Sequence, residues 1–219
     1  MTQLIRYLIA DLANTSPNNL EFASDEKSQR AFKASKISID TNSNRIVKET
    51  LFQIVTLENI SQSKVSKLDE LLAADDLDSV GADRLRGRQQ RIIRNVNVED
   101  QDNGGGGALP TSSNASNYFK LTLQDCFGNL IYGIEQEKLQ FLSGKNFKSG
   151  FPIQLGSKVL IGNAKIVHGV VLLKPSNTEF LSGMVQMWNI DLPKKHINYL
   201  KNELEKIKAQ NQDQDEVEE

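Results

Sequence analysis

A polar, glycine-rich stretch separates the strand-forming segments of this 219-residue chain, with one segment before it and four after it. Its four consecutive glycines, Gly104–Gly107, are flanked by Asp, Asn, Ser, Thr and Pro, a composition that packs no core and behaves as flexible coil. One strand alone has nothing to pair with, and four strands alone would leave an open edge. The sequence therefore predicts a single closed sheet, with a long loop over 62–117 inserted between two neighbouring strands.

Five strands are predicted from runs rich in β-branched and aromatic residues. The first covers 45–61, and its apolar residues are so continuous that both of its faces should be covered over part of its length. The next two flank the turn sequence DCFGN and should form a hairpin. Lys158–Ile161 and Gly169–Leu173 are the last two, with a turn at His168–Gly169 after Ala164–Val167, and Pro175 ends the final strand.

Helices are predicted where apolar residues recur at three-and-four spacing. One is expected over Thr2–Ala13, and a second over Ser24–Ser35 with Ser24 as its N-cap. A third begins near Ser61 or Ser63 and places Val65, Leu68 and Leu72 on one stripe. The last follows Asp191 as N-cap and carries its apolar stripe at Ile197, Leu200, Leu204 and Ile207.

Composition excludes several classes of function. The net charge of −2 argues against binding nucleic acid by overall charge, although a local basic patch is allowed. No run approaches the ~18 apolar residues of a membrane span. The single cysteine, Cys126, excludes an intrachain disulfide, and with only His168 and His196 beside it no zinc site is credible. Without a P-loop, nucleophile elbow or paired catalytic carboxylates, an enzyme is the weakest option, and no cofactor is expected.

An arginine cluster lies within the predicted insertion. Five arginines and one acid occupy 83–94, and apolar residues are interleaved among them. A solvated helix face, a docking face for a protein partner and a contact with DNA phosphates all fit this pattern. The arginines are Arg84, Arg86, Arg88, Arg91 and Arg94, and the apolar residues are Leu85, Ile92, Ile93 and Val96.

Aromatic residues on the hairpin allow a second kind of nucleic-acid site. Tyr118, Phe119, Phe127 and Tyr132 could stack bases, as some small barrels do. The same strands carry Glu135 and Glu137, however, with Lys120 as their only clear cation, and aromatics at alternating strand positions are more often core. The pattern favours core packing over strong DNA binding.

Two blocks after the insertion resemble a known family. YFKLTLQDCFGNLIYGIE and LGSKVLIGNAKIVHGVVLLKPSNTEFLSGMV are similar to the oligonucleotide/oligosaccharide-binding (OB) fold domain of the RecQ-mediated genome instability protein 1 family, and the resemblance covers roughly 45–187. The matching positions are Leu121, Leu123, Asp125 and Gly128 in the hairpin, Gly156, Lys158 and Leu160 at a strand entry, and Gly169, Val171, Leu172, Leu173, Pro175, Asn177, Leu181 and Gly183 in the last block.

The resemblance implies both an architecture and a function. It implies a mostly β protein with flanking helices, in which a five-stranded OB barrel follows an N-terminal helical segment and carries a long loop between its first two strands. It also implies a nuclear, non-catalytic subunit of a topoisomerase III–RecQ helicase complex that dissolves double Holliday junctions. In this family the barrel docks on the type IA topoisomerase, and the inserted loop reaches toward the gate through which DNA passes. The chain looks like the short, fungal-type form.

These expectations divide the chain and assign its candidate site residues. The segments are 1–44 (N-terminal helices), 45–187 (OB fold, with 62–117 inserted), 188–211 (C-terminal helix) and 212–219 (acidic disordered tail). By the family's geometry, the residues expected to bind the topoisomerase are Val65, Leu68, Leu72, Leu85, Arg88, Ile92, Ile93 and Lys174. The residues that could contact DNA in the gate are Arg84, Arg88, Arg91 and Arg94. The alternative is a free-standing single-stranded-DNA-binding OB protein of replication or repair.

Overall fold

The strands of the protein form one continuous sheet. The computed structural model describes residues 6–15, 20, 22, 25–33, 39–40, 45–79, 117–144 and 150–215. The strands are β1 (Ile39–Asp40), β2 (Arg45–Ile46), β3 (Thr50–Asn59), β4 (Phe119–Gln124), β5 (Leu130–Glu135), β6 (Lys158–Ile161), β7 (Ala164–Val167), β8 (Val170–Leu173) and β9 (Thr178–Ser182). Their order in the sheet is β1-β2-β7-β8-β5-β4-β3-β6-β9. All neighbours are antiparallel except β5 and β8, which are parallel.

The predicted count of five strands is wrong, because kinks break two long strands and short strands are added at the edges. Three residues separate β2 from β3, and Gly162 and Asn163 separate β6 from β7, with Asn163 in the left-handed region at φ 50°. From β3, the pairing runs through β4, β5, β8 and β7 to β2. Because β2 and β3 are the two parts of the strand predicted over 45–61, the sheet curls round on itself. None of β1, β7 and β9 was among the predicted strands. β8 ends at Leu173, before Pro175, as expected, and β9 then pairs with β6.

Five α-helices flank the sheet within the described residues. The C-terminal helix continues to Asp215, beyond the boundary predicted at 211. The second helix starts after Asp25, whose carboxylate accepts the N–H of Ser28 at 3.0 Å, so the N-cap is Asp25 and not Ser24. The helices are α1 (Arg6–Ile9), α2 (Glu26–Lys33), α3 (Lys64–Ser79), α4 (Gln186–Asn189) and α5 (Leu192–Asp215).

The strand β3 is buried on both faces, as the sequence predicts. Phe52 and Ile54 point into the core enclosed by the sheet, and Leu51 points out into a second cluster with the N-terminal segment. A fully buried side chain of this size stabilises the fold by about 1.5–3 kcal/mol. The second cluster comprises Tyr7, Leu12, Leu20, Phe22, Ala31, Phe32, Leu51 and Leu160.

The first helix ends at Ile9, although the apolar spacing predicted that it would continue to Ala13. In a continued helix, the carbonyl of Leu8 would accept the N–H of Leu12. It accepts the N–H of Met184 at 3.0 Å instead, and the N–H of Leu12 donates to Oε1 of Gln53 at 3.0 Å. The backbone of this segment thus bonds to the sheet rather than to itself.

A buried lysine ties the same segment to β6. Lys158 is fully buried, and its Nζ donates to the carbonyl oxygens of Ala10 at 2.7 Å and Gly156 at 2.5 Å. Burial lowers the pKa of Lys158 to about 7, while the negative charge of Asp11 opposes that shift. Burial also acts to raise the pKa of Asp11, but hydrogen bonds from Gln53 and Asn14 outweigh it and leave that pKa lowered.

The hairpin predicted around DCFGN is confirmed, and one carboxylate organises its turn. Asp125 is fully buried, and its Oδ1 accepts the N–H groups of Phe127 and Asn129, each at 2.9 Å. Its Oδ2 accepts the side-chain amide of Asn129 at 2.9 Å. Gly128 takes the left-handed conformation at φ 84° that closes the turn.

The buried lysine predicts a rise of stability with pH. Unfolded lysine keeps its proton up to its ordinary pKa of 10.5, whereas folded Lys158 has a pKa of about 7 and releases its proton there, so the unfolded state binds more protons between these values. The free energy of unfolding should therefore rise between about pH 7 and 9.5, by on the order of 1 kcal/mol per pH unit. Urea titrations at several pH values measure this, and Lys158→Met should remove the rise. An equal slope in both proteins would contradict the assignment.

Contact between Gly183 and the N-terminal segment predicts a second effect. A Cβ at Gly183, where φ is 91°, would lie 2.3 Å from the carbonyl oxygen of Leu8. Gly169 is the matched control, because its φ of 79° is equally unsuited to alanine and no atom lies within 4 Å of its added Cβ. Gly169→Ala should cost about 1–2 kcal/mol of unfolding free energy, and Gly183→Ala measurably more. Equal costs in denaturant titrations would show that the close approach contributes nothing.

Candidate functional site at the base of the insertion

The insertion leaves and returns through two strands that pair directly. Asn59 at the end of β3 and Phe119 at the start of β4 are register partners. Beyond them, the N–H of Ile60 donates to the carbonyl of Tyr118, and the N–H of Tyr118 donates to Oγ of Ser61, both at 2.9 Å. The two ends of the insertion are therefore held together at the ends of two neighbouring interior strands, as the predicted topology requires.

The insertion begins with helix α3, which packs on the C-terminal helix α5. Ser63 caps α3, because its Oγ accepts the N–H of Ser66 at 3.1 Å. Leu71 is buried against Ile197 and Leu200, and Lys64 forms an ion pair with Glu203 of α5 at 3.2 Å. The first helix of the insertion thus has a fixed direction relative to the sheet.

The structure separates the residues predicted to bind a protein partner. Val65 is exposed. Leu68 and Leu72 are partly buried where α3 packs on α5. Leu71, which was not on the predicted apolar stripe, is the residue of α3 that is buried in this contact. Lys174 lies after β8 and pairs with Glu137 at 2.7 Å. The others fall outside the described residues: Arg84, Leu85, Arg88, Arg91, Ile92, Ile93 and Arg94.

A cavity of about 310 Å³ lies at this base, between the end of β3, the start of α3 and α5. The ring of His196 stacks on Phe151 in its wall, with centroids 4.4 Å apart. Sequence reasoning did not connect these two residues, because the contact joins separate parts of the chain and no spacing signals it. The apolar lining is Leu57, Phe119, Phe151, Leu155, Leu192 and Leu200, and the cations beside it are Lys64, Lys67 and Lys195.

The outer face of the hairpin corrects the expectation that its aromatics are core. Phe119 is buried, but Tyr118, Phe127 and Tyr132 are 37%, 62% and 50% exposed. The ammonium groups of Lys138 and Lys120 lie over the rings of Tyr118 and Tyr132, at 3.8 and 4.6 Å from the ring centroids. The face therefore carries two lysine–tyrosine pairs, where the sequence predicted a single cation.

Glu135, expected to make this face acidic, is buried instead. Its Oε2 accepts the N–H of Phe119 at 3.2 Å, and its Oε1 accepts the N–H of Leu139 at 2.7 Å. Lys138 lies 3.9 Å from the same carboxylate. The glutamate therefore positions the strand to which the insertion returns.

The described part of the chain contains neither a candidate metal site nor a helix that could span a membrane. No group of three or more His, Cys, Asp or Glu side chains there could hold a metal ion. Among the described helices, none combines the length and apolar character that crossing a bilayer requires.

The curled sheet, with its parallel β5–β8 pair and flanking helices, is that of an OB-fold protein. The family model described as "RMI1, N-terminal OB-fold domain" matches residues 24–195. The chain is 29% identical over 192 residues to RecQ-mediated genome instability protein 1 of Saccharomyces cerevisiae, covering 80% of this chain and 76% of the relative. It is 30% identical over 173 residues to the protein of that name from Schizosaccharomyces pombe, covering 75% and 68%. The chain belongs to the RecQ-mediated genome instability protein 1 family.

The packing of α3 on α5 can be tested with two alanine variants. Leu71→Ala removes a side chain that is 4% exposed and should lower the protection of α3 amides from hydrogen exchange, by an amount equivalent to about 2 kcal/mol. Val65→Ala, at a position 54% exposed on the same helix, is the control and should leave protection nearly unchanged. If both variants exchange like the wild type, α3 is not held by this cluster.

Proposed function

We propose that this protein is a non-catalytic accessory subunit of a nuclear topoisomerase III–RecQ helicase complex. In this proposal it stimulates decatenation and the dissolution of double Holliday junctions through its insertion, which contacts the gate of the topoisomerase. Family membership supports a role in genome stability, and the names of both relatives link those proteins to RecQ.

One observation carries the mechanistic part of the proposal, namely the fixed base of the insertion. The N–H···O bond from Ile60 to Tyr118 closes that base, and Leu71 on α3 is packed against Ile197 and Leu200 on α5. A segment that starts from a fixed helix can exert force on a partner and can favour one of its conformations. A freely hinged segment would instead lose much conformational entropy when it binds.

A non-catalytic subunit can change the gate only if it binds the open and closed states with different affinities. A tenfold shift between the two states needs a difference of about 1.4 kcal/mol, which a few contacts can supply. The sheet would act as the platform on the body of the topoisomerase, and the insertion would contact whichever gate state it stabilises. DNA would be engaged mainly through the complex.

The arginines of the insertion offer the sharpest test. Arg84→Ala/Arg88→Ala/Arg91→Ala should lower the rate of decatenation by topoisomerase III about tenfold or more, equivalent to about 1.4 kcal/mol of barrier. Co-purification with the topoisomerase should persist if these arginines act on DNA in the gate, and it should be lost if they dock the partner.

The matched control removes three exposed lysines of α5, as Lys201→Ala/Lys206→Ala/Lys208→Ala, and should leave both readouts unchanged. Wild-type decatenation and wild-type complex formation by the arginine variant would contradict the proposed role of the insertion. Failure of the wild-type chain to co-purify with topoisomerase III would contradict the function itself.

A further inference from the structure

The cavity at the base of the insertion is large enough to take side chains from another molecule. Its volume of about 310 Å³ is roughly twice the ~150 Å³ that holds one benzene-sized group in an apolar protein interior. Its walls belong to the packed interior of the protein, since Leu57, Phe119 and Leu200 line it and each is 4% exposed. Two large apolar side chains from a ligand would therefore fit.

A lysine in the wall of this cavity is incompletely hydrogen-bonded. Lys67 is 8% exposed, and its ammonium donates to one carboxylate, that of Glu70, whose two oxygens are each 3.3 Å away. An ammonium has three N–H groups, and charged hydrogen bonds of full strength are shorter, about 2.7–2.9 Å. No other described residue accepts a bond from this ammonium. Lys67 therefore has room for a second and closer acceptor.

The fold leaves space for this ammonium beside the cavity. A Cβ at Gly150, where φ is 78°, would lie 3.3 Å from Nζ of Lys67 and 2.7 Å from Cδ2 of Leu71. Gly150 and Lys67 both line the cavity, so the missing side chain lets the ammonium lie at its wall. Because a buried charge is costly unless it is well paired, an anionic ligand explains a lysine at this depth better than packing does.

The charge around the cavity is positive. Lys195, in the first turn of α5, lines it, is exposed and has no ion pair among the described residues. Lys64 keeps its ion pair with α5. Glu58 is the one acid among the described lining residues, and the ammonium of Lys120 lies 4.0 Å from its carboxylate. Carboxylates on a ligand would therefore complement Lys67 inside the cavity and Lys195 at its mouth.

Apolar surface continues outside the cavity, which favours a polypeptide over a small molecule. Tyr199 at the mouth is 53% exposed. Ile60 and Val65, each next to a lining residue in the sequence, are 49% and 54% exposed. A small amphipathic acid would fill the cavity and leave these side chains in water. A peptide could cover them with its neighbouring residues, as expected for exposed apolar surface rimmed by charge.

We propose that this cavity binds a short acidic segment of a partner protein. Two large apolar side chains of that segment enter the cavity, and its carboxylates bind Lys67 and Lys195. The site uses none of the arginines of the insertion and its test needs no topoisomerase, so this proposal and the proposed function can fail separately.

The test selects binders of the full chain from a display library of random peptides of about 12 residues, a length comparable with known recognition segments. The enriched peptides should combine acidic residues with at least two large apolar ones. A consensus without acidic residues, or no enrichment at all, would overturn the proposal.

Two matched variants then locate the binding site of the most enriched peptide. Lys67→Met/Lys195→Gln should weaken its binding about tenfold or more in fluorescence anisotropy, because removing a buried charged contact speeds dissociation. Lys201→Gln/Lys208→Gln removes the same charge from exposed positions on α5 that do not line the cavity, and it should change the affinity less than about twofold. Equal losses in the two variants would overturn the proposal.

A single exposed substitution separates binding from folding. Lys67→Met removes a charge that is poorly paired, so its thermal midpoint should equal or exceed that of the wild type. If Lys67→Met unfolds at a lower temperature, Lys195→Gln decides the question, because this exposed side chain takes no part in the core. Lys195→Gln should lower both the affinity for the peptide and its dependence on salt, and no change in either would overturn the proposal.

Other occupants of the cavity would give different results. Dodecanoate, a small amphipathic acid, should displace the labelled peptide only at concentrations well above those of unlabelled peptide, and equal potency would overturn the proposal. Glu99→Gln/Asp100→Gln/Asp102→Gln should leave the affinity unchanged. An increase of about tenfold would instead assign the cavity to this acidic stretch of the insertion. Sedimentation should show a monomer, and a dimer that Lys67→Met dissociates would assign the cavity to a second copy of the chain.

Discussion

The burial of β3 on both faces is the constraint on which the rest of the structure depends. Its inward side chains, Phe52 and Ile54, build the core inside the curled sheet, and Leu51 anchors the N-terminal segment outside. A strand covered on both sides and paired with both β4 and β6 cannot slip in register without exposing apolar surface. The insertion starts from the end of this strand, so its position inherits that rigidity.

The positions that carry the family resemblance are largely those that assemble this arrangement. Lys158 donates to the carbonyl of Ala10, Gly183 leaves room for the carbonyl of Leu8, and Asp125 organises the hairpin turn. Asn177 likewise organises the turn before β9, because its side chain bonds to the backbone of Lys174 and Leu172. These residues act on the backbone, so the motif specifies how the N-terminal segment docks and how strands connect. The surfaces available to partners lie elsewhere.

Much of the architecture could be predicted from the chain, and the parts that could not share one cause. The hairpin, the strands β6 and β8 and the capped helix after Ser63 follow from local patterns of two- and four-residue spacing. The pairing across the insertion follows from the open edges that the strands would otherwise leave. The end of α1, the burial of Glu135 and the exposure of Tyr132 do not, because each depends on partners distant in sequence. Within the candidate site, Val65 and Leu68 are on α3 as expected, but Leu71 makes the central contact.

The sequence by itself determined the type and order of the elements, because hydrophobic periodicity and turn residues act over a few positions. Only the tertiary structure decided which strands break, which carbonyls Lys158 satisfies, and that Arg45 faces Lys165 across the sheet. A kink such as that at Gly162 and Asn163, or a register between β2 and β7, brings together residues more than a hundred positions apart. The free energy that selects such contacts comes from burial and hydrogen bonding in three dimensions. The spacing of residues over a few positions therefore does not predict them.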